Sequence, residues 1–191
     1  MTFRQYRRTD ILLLTVLMCV FEGAVTLAAT KWFPGQPYSL SLTLTVTCLA
    51  LMRWDKYAVF FPALGGAVFC FASGAEFSQY IIYCVGNCAA LLSLLLFRIW
   101  GKNLRDSAVK TVVLVGSSFL LMETGRWAVS LIFGAKPIII LNFISTDALS
   151  LLFAAVVIIL ARRIDGLFED QKAYLLRTEA QRAKERRGGS Q

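Results

Sequence analysis

The chain has 191 residues, of which 57% are hydrophobic and 17% charged, whereas soluble domains average roughly 45–50% apolar and 25% charged residues. The charges are unevenly placed, because residues 162–191 hold 13 of the 32 and leave a long, almost uncharged body. This composition excludes an ordinary water-soluble domain. At about 20 residues per span, the body has room for five or six transmembrane helices and for no large soluble domain.

Two absences exclude most enzyme classes. The sequence has no histidine, which removes His-dependent zinc sites, Ser-His-Asp triads and most general-base chemistry. It also has no G-x-x-x-x-G-K-[ST] phosphate loop, so any pumping needs energy from a partner. The five cysteines lie in apolar stretches and are interpreted as small hydrophobic residues. We therefore expect no enzyme activity, no cofactor and no metal site.

Apolar runs between charges predict an all-α integral membrane protein with six transmembrane helices. Together these helices form a transmembrane domain over residues 1–161, and a charged cytoplasmic helix or tail follows at 162–191. The predicted spans lie near 11–33, 38–52, 57–74, 77–97, 111–133 and 137–161.

The distribution of basic residues predicts the orientation of these spans. With six spans, both termini share one side, which receives 17 of the 20 Lys and Arg residues, and only Lys31 and Lys136 fall on the other side. The positive-inside rule makes the basic side cytoplasmic. The net charge of +8 is thereby explained by topology, so no nucleic acid is expected as a partner.

The first two spans each allow a second interpretation. The first span begins like a secretory signal, but it continues to Phe33 and carries Glu22 in its middle, which favours a retained helix. In the second, hydroxyl residues alternate with apolar ones over Ser39–Thr47 with the period of a β-strand. A lone strand in lipid leaves its backbone unpaired, so we predict a helix that is partly buried by neighbours or begins within the loop at 34–37.

Polar residues inside the predicted spans indicate a binding site, because an ionisable group in lipid is costly. At about 1.5 Å per residue, four such groups lie between the midplane and the outer half of the membrane, so that one cavity can hold them all. Three acids against one Arg favour a cationic or zwitterionic ligand, unless burial keeps an acid protonated. The four groups are Glu22, Glu123, Arg126 and Asp147.

Aromatic and amide side chains extend this set. On span four, Tyr80, Tyr83 and Asn87 recur at i, i+3 and i+7 and therefore share one helical face. Rings, amides and a few charges are what a pocket for a small, polar, ring-bearing ligand requires. The predicted ligand-binding residues are Glu123, Arg126, Trp127, Tyr80, Tyr83, Asn87, Asn142, Asp147 and Glu22.

The same residues also allow a purely structural interpretation. Glu123 and Arg126 are one helical turn apart and can form an ion pair, while the other polar groups hydrogen-bond between helices. The chain is then a small membrane scaffold or assembly protein. An intramembrane enzyme is a third alternative, and it would need catalysis without histidine.

The first helix has two different faces. Glu22 and Thr26 share one face, and Ala24 and Ala28 lie about 120–160° round the helix. Ala24-x-x-x-Ala28 is a small-xxx-small pattern that lets another helix approach closely in lipid. Packing within the chain and packing against a partner both account for this pattern.

With these features, the chain resembles the substrate-binding S component of an energy-coupling factor (ECF) vitamin transporter. The likeness covers most of residues 10–161 and includes the size, the six helices and the alanine pattern of the first helix. It also includes a Pro-Gly loop at 34–37, the hydroxyl-rich run Ser39–Thr47 and the stretch Leu51-Met52-Arg53-Trp54 that leads to Gly65-Gly66.

The resemblance implies a pocket that opens to the outside, is closed by the loop after the first helix, and binds a small-molecule micronutrient, a vitamin or its precursor. It also implies that Ala24 and Ala28 contact a transmembrane coupling subunit. Two ATPase subunits then complete an importer that is embedded in the lipid bilayer of a bacterial cell membrane. The C-terminal tail, which is predicted to be a charged helix over 162–187, departs from a minimal S component.

Overall fold

The computed structural model describes residues 3–35, 38–100, 107–167 and 170–188. Over these ranges the chain consists of helices and connecting segments, with no strand, so the all-α prediction is confirmed. Part of the predicted Pro-Gly loop, at 36–37, lies outside the described residues, as do 168–169 and 189–191 of the predicted tail.

The described residues contain nine α-helices. Two 3-10 turns, Asp55–Ala58 and Cys88–Ser93, follow the second and fourth helices directly. The helices are α1 (Phe3–Trp32), α2 (Thr43–Trp54), α3 (Phe61–Ser73), α4 (Phe77–Asn87), α5 (Leu94–Trp100), α6 (Ala108–Ile132), α7 (Ile139–Thr146), α8 (Ala148–Ala161) and α9 (Gln171–Gly188).

Within the described ranges, three helical stretches are long and apolar enough to cross a membrane. They are α1 with 30 residues, Phe77–Trp100 with 24, and α6 with 25. The pair α7 and α8 makes a fourth if it is counted as one span, with a bend of 44° between its halves. At 12 and 13 residues, α2 and α3 are shorter than the roughly 20 residues of a span. Six spans and a shared side for both termini therefore stay predictions.

The helix α2 lies in the interior of the bundle. Nine of its 12 residues are buried, and it packs against α1, α3, α6 and α8. The predicted helix over 38–52 begins only at Thr43, because the preceding backbone finds partners elsewhere. Ser39 N donates to Thr146 O at 2.9 Å, and Ser41 N donates to Ser150 Oγ at 2.9 Å. Because these backbone amides already have hydrogen-bond partners, they do not need the intrahelical bonds that a longer α2 would provide.

Two apolar clusters lie on either side of α2. The larger joins α2 to α6 and α8 through residues such as Leu44, Phe119 and Ile158. The smaller joins α2 to α1 and α3 through Met18 and Phe61. On the outside of α1, by contrast, large apolar side chains are exposed along much of its length. A surface of this kind suits lipid, since contiguous apolar patches of this extent are rare in water.

Two glycines let α4 and α6 approach each other closely. A Cβ atom at Gly86 would lie 2.6 Å from the backbone of Arg126, and one at Gly125 would overlap the Gly86 carbonyl. Small residues at a helix contact are the usual means of close packing in lipid. The contact brings Asn87, at the end of α4, next to Arg126 on α6.

The tail begins with turns. Its predicted helix over 162–187 starts only at Gln171, and Gly166 adopts a left-handed conformation with φ 74°, which glycine enters without steric cost. Gln171 is buried, donates from Nε2 to Gly166 O at 2.6 Å and accepts from the Tyr6 hydroxyl at 3.1 Å. The start of the tail is therefore attached to the N-terminal end of α1.

Candidate functional site

Two helix breaks and the start of another helix meet at one buried polar cluster. The helix α2 begins only at Thr43, α4 gives way to a 3-10 turn after Asn87, and α7 and α8 are separated at Asp147. Hydrogen bonds connect the three points through Ser39 and Arg126. Because an interrupted helix leaves backbone groups without intrahelical partners, a polar environment is required at these points within an apolar bundle.

Arg126 lies at the centre of the polar cluster and is 1% exposed. Its Nη1 donates to Glu123 Oε1 at 3.0 Å and to Asp147 Oδ2, while its Nε donates to Asn87 Oδ1 at 2.6 Å. The guanidinium carbon lies 4.4 Å from the centre of the Tyr83 ring, which is a cation–π arrangement. A single side chain thus connects α4, α6 and the break between α7 and α8.

Two further contacts extend the cluster to neighbouring helices. Asn87 Nδ2 donates to Pro62 O on α3 at 3.2 Å. Ser39 Oγ donates to Asp147 Oδ1, so the segment before α2 is held at the break between α7 and α8. Asp147 therefore accepts from both a guanidinium and a hydroxyl, which satisfies its two oxygens within the protein.

Glu22 serves as the cap of α2. The residue before α2, Leu42, has no capping side chain, and its amide donates to Glu22 Oε2 at 2.6 Å. The carboxylate is 0% exposed and lies at the positive end of the helix dipole, where a negative charge is stabilised. Ser41 Oγ accepts from Thr43 N at 3.1 Å and completes the cap.

Several buried polar side chains of α1 and α2 lack hydrogen-bond partners. Five buried side-chain oxygens on α1 and the first half of α2 have no hydrogen-bond partner, and they are Glu22 Oε1 and the hydroxyls of Thr26, Thr43, Thr45 and Thr47. A buried polar atom without a partner costs about 1–3 kcal/mol, so nearly all such atoms in proteins are paired. The start of α2 thus retains capacity for hydrogen bonds to a further group.

The structure brings six of the nine predicted ligand-binding residues into the cluster and its cap. The other three lie at its periphery. Asn142 is exposed on α7, and Tyr80 is half-buried one turn before Tyr83. Trp127 Nε1 donates to Pro137 O at 2.9 Å in the exposed connection after α6. Ligand contact by any of the nine stays a prediction. The six central residues are Glu22, Tyr83, Asn87, Glu123, Arg126 and Asp147.

Sequence reasoning missed the serines that join these groups. Ser39 and Ser41 stood out only as part of a strand-like alternation, and Ser150 not at all. A signal for Ser150 was present, since it follows Asp147 by three residues and so shares a helical face with it. Polar residues one turn after a buried acid are therefore useful indicators of such a cluster.

The alanine pattern of α1 faces away from the cluster. Ala24 is exposed and Ala28 half-buried, whereas Glu22 and Thr26 are buried. Val20 continues the outward face and is also exposed. The two different faces predicted for α1 are present, and contact of the alanine face with a partner stays a prediction.

Chemically, the cluster is suited to binding. It offers one guanidinium, three carboxylates, an amide and the ring of Tyr83, and Glu22 Oε1 and the Thr26 hydroxyl one turn further along α1 have no partner. Rings, charges and convergent polar groups are the components of small-molecule sites. Comparison of the chain with protein-family models, with curated proteins and with solved structures gave no match in any of the three.

Proposed function

We propose that this chain is the substrate-capture subunit of an ECF-type importer in a bacterial cell membrane. It binds a small ring-bearing micronutrient at the buried polar cluster and delivers it inward with a coupling subunit and two ATPase subunits. The observation that carries the proposal is that two helix breaks and the start of α2 meet at one buried polar cluster, and that buried oxygens of Glu22 and Thr43 at the start of α2 are unpaired. Discontinuous helices with polar groups deep in the membrane are a recurrent way for transporters to form substrate sites.

The composition of the cluster supports a ring-bearing ligand. Tyr83 stacks on Phe69 with ring centres 5.1 Å apart and meets the edge of Phe143 at 6.5 Å. These three rings provide an aromatic surface next to Arg126 and Asp147. A ligand with one ring and a few polar groups is complementary to these aromatic and charged side chains and to the unpaired oxygens of Glu22 and Thr26.

The two faces of α1 support coupling between binding and transport. Glu22 and Thr26 face the cluster, and Ala24 lies on the opposite, exposed face of the same helix. A coupling subunit docked on the alanine face is thus one helix diameter, about 10 Å, from the ligand. A shift of α1 on docking would act directly on the residues that hold the start of α2.

The experiment that tests the proposal is native mass spectrometry of the protein purified in mild detergent, followed by release of any bound small molecule. We expect a stoichiometric vitamin-like compound. Glu22→Gln should weaken its binding by about tenfold or more, the value of one hydrogen bond to a charged group. The matched control Glu179→Gln changes an exposed residue of α9 and should leave binding unchanged. An empty protein that takes up nothing from a panel of vitamins and precursors would contradict the proposal.

A membrane scaffold is the second candidate function, and the pairing of Arg126 favours it. That guanidinium already pairs with Glu123 and Asp147 and bonds Asn87, so these residues hold α4, α6, α7 and α8 together without any ligand. For a scaffold, Glu22→Gln should lower the thermal stability of a protein that binds no compound. Loss of affinity in a variant that melts like wild type supports transport instead.

A further inference from the structure

The surface at the N-terminal end of α1 carries an open groove of about 680 Å³. One wall is the first part of α1, from Arg7 to Val16, and the other is formed by Tyr57 and Phe60 in the connection between α2 and α3. The groove lies two to four turns of α1 away from Glu22, and none of the polar cluster lines it.

One end of the groove is positively charged. The guanidinium carbon of Arg7 lies 3.7 Å from the centre of the Tyr57 ring, and Lys56 Nζ lies 5.7 Å from the same centre. Arg8 lines the groove beside Arg7. Within the described part of the chain, no carboxylate forms an ion pair with either arginine. Even with Asp55 counted, this end is net positive.

The acid that is nearest to these arginines in the sequence is engaged elsewhere. Asp10 accepts from Arg53 Nη2 at 2.8 Å and also from Trp54 Nε1. Its charge is therefore neutralised on another side of α1. The two arginines of the groove remain available for an anion from outside the chain.

The other end of the groove is apolar. Leu12 and Val16 line it and are 65% and 52% exposed, and Phe60 faces them across the groove. From Arg8 to Val16 the groove runs about 12 Å along α1. The helix α1 is long and apolar enough to cross a membrane, and in that placement this end faces lipid and the charged end lies at the polar boundary of the bilayer.

We propose that this groove binds an anionic glycerophospholipid. Its phosphate pairs with Arg7 and Arg8, and one acyl chain lies along Leu12, Val16 and Phe60. Guanidinium groups match phosphate oxygens in a bidentate geometry that an ammonium group lacks, and the ring of Tyr57 holds Arg7 in place. A soluble anion would leave the apolar end uncovered, so a lipid is the occupant that fits both ends.

The lipid site is independent of the proposed transport function, and it is tested on the full-length protein in mild detergent. Equal amounts of phosphatidylglycerol and phosphatidylcholine with the same acyl chains are added, and retained lipid is counted by native mass spectrometry. We expect one phosphatidylglycerol to be retained in preference. The double variant Arg7→Gln, Arg8→Gln should lower its retention by about tenfold or more. The control Arg182→Gln, Lys184→Gln removes two exposed charges from α9 and should have no effect.

Further arms distinguish a lipid from a free phosphate and a site from a diffuse charge effect. Excess inorganic phosphate should not displace the bound lipid, and short-chain phosphatidylglycerol should bind more weakly. If the glutamine variant does not fold, Tyr57→Leu, which removes the ring under Arg7, should still lower retention. Equal retention of both lipids, equal loss in the α9 control, displacement by inorganic phosphate, or unchanged retention in Tyr57→Leu would each overturn the proposal.

Discussion

The two ends of α2 are both attached to carboxylates of α1, but they differ in how completely their polar groups are paired. At the C-terminal end, Arg53 donates from Nη2 to both oxygens of Asp10 at 2.8 and 2.9 Å. From Nη1 it donates to the carbonyls of Gly166 and Leu167 at 2.7 and 3.1 Å. Every nitrogen of this guanidinium has a partner, since Nε also donates to Asp10.

The N-terminal end of α2 is less complete. Glu22 accepts from Leu42 N through one oxygen, and its other oxygen has no partner. The hydroxyls of Thr26 and Thr43, one on each helix, are also unpaired. Both ends place a charge that suits the helix dipole, a cation at the C-terminus and an anion at the N-terminus.

This difference separates an end of α2 that is fully hydrogen-bonded from an end that has unused hydrogen-bonding groups. A fully hydrogen-bonded and largely buried ion pair resists change, because removal of one partner leaves the other charge without a partner. An end with unpaired oxygens gains free energy when a further group supplies the missing hydrogen bonds. We therefore expect substitutions at the C-terminal end of α2 to act on stability and those at the N-terminal end to act on ligand affinity.

The largest effect is expected at the paired end. Arg53→Met should destabilise the protein by about 3–5 kcal/mol, because Asp10 loses its buried partner, and ligand affinity of the folded fraction should not change. Denaturant unfolding in detergent measures the loss. Arg98→Met, at an exposed position in the last turn of α5, is the matched control, and equal stability of the two variants would contradict the prediction.

A smaller effect is expected where α4 and α6 touch beside the polar cluster. Gly86→Ala should cost about 1–3 kcal/mol, because the added Cβ overlaps the backbone of Arg126. Gly116→Ala on α6 meets no atom within 4 Å and should be neutral or more stable by up to about 1 kcal/mol. Thermal unfolding compares the pair. If Gly86→Ala is as stable as Gly116→Ala, the close approach does not hold the cluster together.

Thr26→Val, near the N-terminal end of α2, should change ligand affinity without lowering the stability of the protein. The isosteric change removes an unpaired buried hydroxyl, so stability should stay the same or rise by about 1 kcal/mol, while ligand affinity falls. Thr111 is equally buried but donates to Ser107 O at 3.0 Å, and Thr111→Val should therefore lose stability without losing affinity. Calorimetric unfolding and ligand titration of both variants are the measurements. The same response in both would remove the distinction between a paired and an unpaired buried hydroxyl.

The smallest effect on stability is expected at the outward face of α1. Ala24→Leu and Ala28→Leu should each change stability by less than about 0.5 kcal/mol, as at most surface positions, and should abolish capture of the coupling subunit that we propose as a partner. Ala148→Leu changes an exposed alanine at the start of α8 and should preserve capture. Loss of ligand binding together with capture would indicate misfolding instead.

The charged members of the cluster were predictable from the sequence, whereas the start of α2 was not. Glu22, Glu123, Arg126 and Asp147 stand out because any ionisable group in a long apolar run is costly, and the structure gathers them within two connected groups. Depth along each helix then follows from a fixed rise per residue.

The irregular start of α2 depends on partners that are distant in the sequence. Ser39 and Ser41 lie outside the helix because their backbone groups bond to distant residues. The amide of Ser39 donates to Thr146 O, the amide of Ser41 donates to Ser150 Oγ, and that hydroxyl donates to Ser39 O. Local propensity contains no information about such partners, which lie about 110 residues further along the chain. For the same reason, the alternation over Ser39–Thr47 is not a strand, and the helix that the lipid context predicted over 38–52 begins only at Thr43.

The double attachment of α2 fixes a length within α1. Asp10 and Glu22 are twelve residues apart, about 18 Å along a helix, and they meet the two ends of a helix of 12 residues. Deleting or inserting one residue between them would move one carboxylate by about 1.5 Å and turn it by about 100°. Homologous chains with this arrangement should thus vary freely in the outward side chains between Asp10 and Glu22 while keeping the number of residues between them. The spacing of the two carboxylates on α1 therefore sets the length of α2.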